Sequence, residues 1–175
     1  MRLQQSPALA RDPQSRAQRG ASCDALHLLC TCTARLDSAF VRRQHAIAAV
    51  QAKYGGREFD WKTKATCLHL ARFHLRMMGK RPPALPAIGS LLAAKRALAA
   101  RGWADVGEML DALQLKRVTP AAAWLGDLAM FPSADGMGSL FIVVSPRKLL
   151  GWREDYAAPV VIDVEPGEIV AVWRV

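Results

Sequence analysis

The pattern of apolar and polar positions divides the chain into a helical part and a later part rich in strand-forming residues. Between residues 36 and 113, apolar side chains recur at the spacing of one helical face, and glycines or prolines separate the segments. The predicted helices cover residues 36–53, 90–101 and 105–113, and a further helix begins just before Cys67 and ends at Gly79. From residue 121 onwards, short runs of β-forming residues alternate with turn residues. The predicted strands cover residues 128–131, 140–144, 149–153, 160–164 and 169–174.

The order of these elements and a change in composition predict the domain organisation. Short turns between the strands favour antiparallel pairing, so we expect an α+β fold with N-terminal helices packed on an antiparallel sheet of about five strands. The first part of the chain is polar, rich in Arg, Gln and Ser, and has no apolar period. We therefore predict an unstructured extension over residues 1–34 and a single domain over 35–175, with a helical half at 35–115 and a β half at 116–175.

Cys67 opens one of the predicted helices. Thr63 or Thr66 can cap the start of this helix, and Gly79 can end it. A cysteine at a helix N-terminus lies among unpaired N–H groups and at the positive end of the helix dipole, and both favour the thiolate. Cys67 is therefore a candidate nucleophile. The alternative is a small buried hydrophobic residue that begins a core helix.

The charge distribution bears on the binding partners. The net charge of +9 is uneven, because residues 1–45 carry +4, residues 46–101 carry +9 and residues 102–175 carry −4. Such a basic helical part suits nucleic acid, an anionic cell-wall polymer or an acidic neighbouring subunit, or it is an ordinary solvated surface. Arg72 and Arg76 are candidate contacts on this surface. No apolar run is long enough to span a bilayer, and we recognise no secretory signal.

The other cysteines raise the question of a metal site. Cys23, Cys30 and Cys32 lie close together beside His27, whereas Cys67 is isolated, which is not the spacing of a disulfide framework and indicates a reducing compartment. These residue types can bind a metal, but their spacing fits no ordinary zinc template. The chain also has no phosphate-binding loop and no HExxH motif. We expect no cofactor, and a metal held by Cys23, His27, Cys30 and Cys32 is the alternative.

One stretch of the chain resembles a known family. The sequence WLGDLAMF, from Trp124 to Phe131, is similar to the Gly-Asp-Leu strand of NlpC-type cell-wall cysteine peptidases, which have a papain-like fold. The segment 139–150 resembles the hairpin that follows it. More broadly, residues 36–175 resemble a family of uncharacterised proteins that are encoded in phages and prophages, often beside tail-module genes.

The resemblance implies roles for particular residues. Cys67 matches the nucleophile, Asp127 belongs to the Gly-Asp-Leu motif, the position of the catalytic histidine matches Ser139, and the residue that orients that histidine matches Gly151. Neither serine nor glycine can replace an imidazole base. The chain has no histidine after position 74, and His74 lies about 10 Å along the predicted helix axis from Cys67. Only His27 or His45, from the N-terminal segments, could supply a base.

Three functional hypotheses follow. The first is a phage or prophage tail-associated or assembly protein that keeps a degenerate NlpC-like fold as a structural or binding module, with phage structural proteins as partners. The second is an active cysteine peptidase or amidase that cleaves peptidoglycan crosslinks, with Cys67 as nucleophile. The third, a nucleic-acid-binding module, rests on charge alone. The expected location is the bacterial cytoplasm during synthesis, or the virion.

Overall fold

The structure is a computed structural model that describes the backbone of residues 21–175 and the side chains of residues 38–175. The chain divides into two compact units, Met1–Ala39 and Phe40–Val175. All side-chain contacts below lie within the second unit. The domain boundary predicted at residue 35 stays a prediction. Residues 1–20 lie outside the described part of the chain, so the prediction that they are unstructured also stays a prediction.

Helices come first and strands follow, which confirms the predicted α+β fold. The described residues form four α-helices: α1 (Ala21–Tyr54), α2 (Cys67–Met77), α3 (Leu91–Ala99) and α4 (Val106–Ala112). The six strands are β1 (Lys116–Val118), β2 (Leu128–Phe131), β3 (Ser139–Ser145), β4 (Lys148–Gly151), β5 (Val160–Asp163) and β6 (Ala171–Arg174). Within this part of the chain, no helix is both long and apolar enough to cross a membrane.

The strands form one antiparallel sheet in the order β1-β6-β2-β3-β4-β5. Five of them coincide closely with the predicted strands, but β1 is an addition, so the sheet has six strands where about five were expected. The sequence Lys116-Arg117-Val118 is short and charged and has no apolar alternation. It becomes a strand because it pairs with β6, where Arg117 lies opposite Trp173, and a local pattern cannot show such a distant partner.

The sheet has two differently covered faces, as the alternation of side chains along a strand requires. Leu140, Ile142 and Leu150 belong to the main core together with the buried side of α2, which packs against β3. Phe141 and Val143 lie in a second cluster with apolar residues of β2, β5 and β6. This arrangement places the start of α2 beside the start of β3.

Side-chain caps define the starts of three helices. Thr66, Ser90 and Asp105 each accept a hydrogen bond from a backbone N–H in the first turn of α2, α3 and α4 respectively. For α2 this selects Thr66 over the alternative cap, Thr63. Helix α1 is longer than predicted, since it starts at Ala21, and residues 21–34 of the predicted unstructured extension therefore have a helical backbone.

Candidate active site

Cys67 is the first residue of α2, as predicted. The preceding residue, Thr66, caps the helix through a hydrogen bond that its hydroxyl oxygen accepts from the His69 N–H, at 3.4 Å. A short antiparallel bridge between Asp60 and Ala65 closes the loop that leads into this helix start. The Cys67 side chain is only 8% exposed, so it is held at the helix terminus but is largely covered.

Cys67 lines a cleft of about 390 Å³. Aromatic side chains form much of its wall, and they pack edge to face: the Phe59 ring lies 5.5 Å from Trp61 and 5.8 Å from Trp152. Ser139, the first residue of β3, and Asp135, from the preceding loop, also line the cleft. The structure therefore brings together Cys67 and Ser139, which the NlpC resemblance had paired.

The surroundings of Cys67 favour the neutral thiol. Burial raises the pKa of this thiol, and this effect outweighs backbone hydrogen bonding at Leu140, Leu68 and Cys67 itself, which lowers the pKa. The nearby Asp135 carboxylate raises the pKa further. Burial thus opposes the thiolate that the helix N-terminus alone would favour.

None of the histidines whose side chains the structure describes lines this cleft. His74 is fully buried, and its Nε2 donates a hydrogen bond to the Gly126 carbonyl oxygen at 2.7 Å. His69 lies elsewhere, with Nδ1 2.8 Å from the Thr66 hydroxyl oxygen. His45 is exposed on α1, and the His27 side chain lies outside the described residues. Among the described side chains, no imidazole therefore lines the cleft as a general base for Cys67.

Gly151, which matches the orienting position, is not part of the cleft. It ends β4, and a Cβ built there would lie 2.5 Å from Cδ1 of Phe141. The Phe141 ring is buried in the second hydrophobic cluster, which does not contain Cys67. A side chain at position 151 would thus point into a packed ring rather than towards an imidazole near Cys67.

Replacing Gly151 with alanine should destabilise the protein by about 1–3 kcal/mol, because the new methyl group overpacks against the rigid Phe141 ring. The free energy of unfolding can be measured by urea denaturation. Gly167→Ala is the matched control, since a Cβ at Gly167 meets no atom within 4 Å. Equal stability of the two variants would show that position 151 has room for a side chain.

Asp127 lies outside the cleft and connects several elements of the fold. Its carboxylate is fully buried and lies 3.0 Å from Arg43 Nη1 and 2.9 Å from Arg174 Nε. It also accepts hydrogen bonds from the backbone N–H of Trp124, at 2.9 Å, and of Val175, at 3.3 Å. The motif aspartate therefore joins α1, the turn before β2 and the end of β6.

Arg43 is an important residue that the sequence interpretation missed. It is 5% exposed, and its guanidinium also donates hydrogen bonds to the carbonyl oxygens of Leu125, at 2.6 Å, and of Val175. A signal was available, because Arg43 occupies the same helical face as the buried residues Ala46, Ile47 and Val50. A charge on an apolar face predicts a buried partner.

The metal alternative concerns Cys23, His27, Cys30 and Cys32. Their backbone lies within α1, but their side chains are outside the described part of the structure. Among the residues with described side chains, no group of three or more His, Cys, Asp or Glu could hold a metal ion. The N-terminal site therefore stays a prediction.

The structure has an NlpC-like α+β fold. Its helices precede an antiparallel sheet, and a cysteine begins α2, the helix that packs against β3. The chain belongs to the DUF6950 family, a domain of unknown function, whose model matches residues 40–175. The structure is similar to that of the peptidoglycan hydrolase RipB from Mycobacterium tuberculosis, with a TM-score of 0.53 and 17% identity over 79% of this chain and 66% of that one. At this identity the likeness shows the fold. A comparison with curated proteins finds no match.

Proposed function

We propose that this protein is a non-hydrolytic NlpC-like module that binds a partner in a phage or prophage tail, or during tail assembly. The observation that carries the proposal is the cleft at Cys67, which contains the cysteine but no described imidazole. The fold is similar to that of a peptidoglycan hydrolase, whereas no imidazole among the described residues lines the cleft with the cysteine. The protein would act in the host cytoplasm during synthesis and then in the virion.

Ser139 and Asp135, which line the cleft with Cys67, are poor substitutes for a catalytic imidazole. Attack by a cysteine requires a group that removes or holds the thiol proton. The Ser139 hydroxyl is far too weak a base for that purpose. Asp135 is engaged in its own loop, where its carboxylate accepts hydrogen bonds from the Ser133 hydroxyl, at 2.6 Å, and from the Met137 N–H, at 2.7 Å. Its negative charge raises the pKa of Cys67 rather than lowering it.

The cleft nevertheless has the properties of a binding site. Its wall is aromatic and fixed, since Trp152 Nε1 donates a hydrogen bond to the Arg57 carbonyl oxygen at 3.1 Å. Rigid aromatic side chains bury much apolar area on binding at a small cost in conformational entropy. A peptide segment of a phage structural protein, or a cell-wall peptide, would suit such a groove. The tail association rests on the similarity of residues 36–175 to phage-encoded proteins.

The active peptidase is the competing function, and the position of Cys67 at a helix N-terminus favours it. The two functions differ in the state of the thiol. An active peptidase needs a reactive, accessible thiolate at neutral pH, whereas a binding module can keep a covered thiol.

Iodoacetamide labelling of Cys67 between pH 5 and 9 tests the proposal. Cys23, Cys30 and Cys32 are first replaced with serine. We expect labelling to be slow throughout and to increase only above the free-thiol pKa of about 8.5, because burial raises the pKa of Cys67. The same protein unfolded in urea is the control for complete labelling.

Peptidoglycan turnover gives the second measurement. The protein and its Cys67→Ser variant should release the same background of peptide fragments from purified cell walls. Rapid labelling at pH 6, or fragment release that Cys67→Ser abolishes, would overturn the non-hydrolytic function.

A further inference from the structure

A second concave site lies on the solvent side of α2. His69, Arg72, Phe73 and Arg76 follow the spacing i, i+3, i+4, i+7 and therefore share one helical face. This site has a volume of about 260 Å³. The residues that complete it come from the end of α1 and the loop that follows: Lys53, Tyr54, Arg57, Thr63 and Lys64. It shares no lining residue with the cleft at Cys67, so the inference drawn from it is independent of the proposed function.

The charges in this site all have one sign. Five cationic side chains line it and no carboxylate does. Within the part of the chain that the structure describes, none of the five forms a salt bridge. The cations are Lys53, Arg57, Lys64, Arg72 and Arg76. Their mutual repulsion in one concave site is unfavourable for folding. A bound anion would compensate for this repulsion.

Neighbouring groups hold several of these cations in place. Arg72 Nε donates a hydrogen bond to the Pro83 carbonyl oxygen at 2.8 Å, and Arg57 Nη2 donates to the Thr63 carbonyl oxygen at 3.0 Å. Lys53 Nζ lies 4.0 Å from the centre of the Phe73 ring. Burial lowers the pKa of Lys53, and the charges of Arg57, Arg76 and Arg72 lower it further. The site is thus partly ordered before any ligand arrives, which reduces the entropy cost of binding.

The loop before α2 brings Lys64 into the site at a conformational cost. Lys64 has φ of +60°, a left-handed conformation that is uncommon for a residue with a side chain. Asp60 stabilises the turn, because its carboxylate accepts hydrogen bonds from the Lys62 N–H, at 2.9 Å, and the Thr63 N–H, at 3.3 Å. Such conformations persist where the surrounding structure enforces them, often at ligand sites.

We infer that this basic pocket binds the diphosphate group of a phosphorylated ligand. A diphosphate concentrates several negative charges in a volume that fits the pocket, and the guanidinium groups of Arg57, Arg72 and Arg76 can each donate two parallel hydrogen bonds to phosphate oxygens. A single carboxylate would leave most of the five cations without a counter-charge. Lys53 and Lys64 supply further positive charge in the lining.

Isothermal titration of the full chain with inorganic pyrophosphate tests this inference. We expect saturable binding with one site per chain, and a lower affinity when the salt concentration rises from about 50 mM to about 200 mM. The variant Arg57→Gln/Arg76→Gln should bind pyrophosphate at least about tenfold more weakly, because charge-assisted hydrogen bonds, which this variant loses, are stronger than neutral ones.

A matched variant separates the pocket from the net charge. Arg96→Gln/Lys116→Gln removes the same two charges from exposed positions outside the pocket and should leave the affinity within about twofold. Should the first variant fold poorly in thermal melts, Arg76→Glu alone, at an exposed position, should give the same loss of affinity.

Three results would overturn the inference. The first is the absence of saturable pyrophosphate binding at low salt. The second is an equal loss of affinity in the variant and its matched control. The third is much tighter binding of a short oligothymidylate than of pyrophosphate, abolished by the same variant, since that would assign the pocket to a phosphodiester chain.

Discussion

Replacement of Asp127 with alanine is expected to lower the free energy of unfolding by about 3–5 kcal/mol, because it leaves the buried charge of Arg43 without its partner. The backbone N–H groups of Trp124 and Val175 would lose their acceptors in the same step. Urea denaturation followed by tryptophan fluorescence measures the loss.

Two comparison variants make this prediction specific. Asp127→Asn retains one oxygen that can accept a hydrogen bond, so its loss of stability should be intermediate. Asp163→Ala removes an exposed carboxylate that pairs with Lys148 at 2.9 Å, and its effect should be several-fold smaller. If Asp127→Ala were as mild as Asp163→Ala, the buried network would not stabilise the fold, and Asp127 would be free for another role.

The strand pattern shows how much of this fold the sequence could predict. Strand β2 has the predicted bounds, Leu128–Phe131, since its apolar run lies between two strong turn signals, Gly126-Asp127 and Pro132-Ser133. The helix at Cys67 was equally predictable, because a capping threonine and a stop glycine bound a regular apolar face. In each case the residues that determine the bounds of the element lie within it or directly beside it in the sequence.

The features that the sequence did not reveal depend on distant partners. Strand β1 exists through its pairing with β6, and Arg43 acquires its role from Asp127, 84 positions away. Burial likewise acts on Cys67 through distant residues: the helix terminus favours a thiolate, but burial raises the pKa of the thiol. The local sequence thus predicts where the cysteine lies, whereas the direction of its pKa shift depends on tertiary packing.

The second large expected effect is a loss of stability in acid that originates at His74. Burial lowers the pKa of His74 from its ordinary 6.5 to about 4; the hydrogen bond to Gly126 opposes this shift, Arg43 reinforces it and Asp127 opposes it. The folded protein therefore binds fewer protons at this ring than the unfolded chain does. Above pH 6.5 the ring is neutral in both states, and His74 does not reduce the free energy of unfolding. As the pH falls from 6.5 towards 4, the unfolded chain binds a proton at this ring that the folded protein does not, and the free energy of unfolding falls by about 3 kcal/mol.

The hydrogen bonding of the ring explains why protonation is costly. Nε2 already donates to the Gly126 carbonyl oxygen, so a second proton must go to Nδ1. Nδ1 is buried and has no hydrogen-bond partner among the described residues, and a charged N–H would be left there without an acceptor.

Urea denaturation at intervals between pH 7 and pH 4 measures this effect as a difference between two proteins. His74→Gln keeps an amide that can donate to Gly126 but does not titrate in this range. It should be less stable than the original protein at pH 7, and the gap should narrow or reverse by pH 4, because only the original protein loses the His74 contribution. Parallel stability curves for the two proteins would show that His74 has an ordinary pKa, and the acid sensitivity would then belong to the carboxylates.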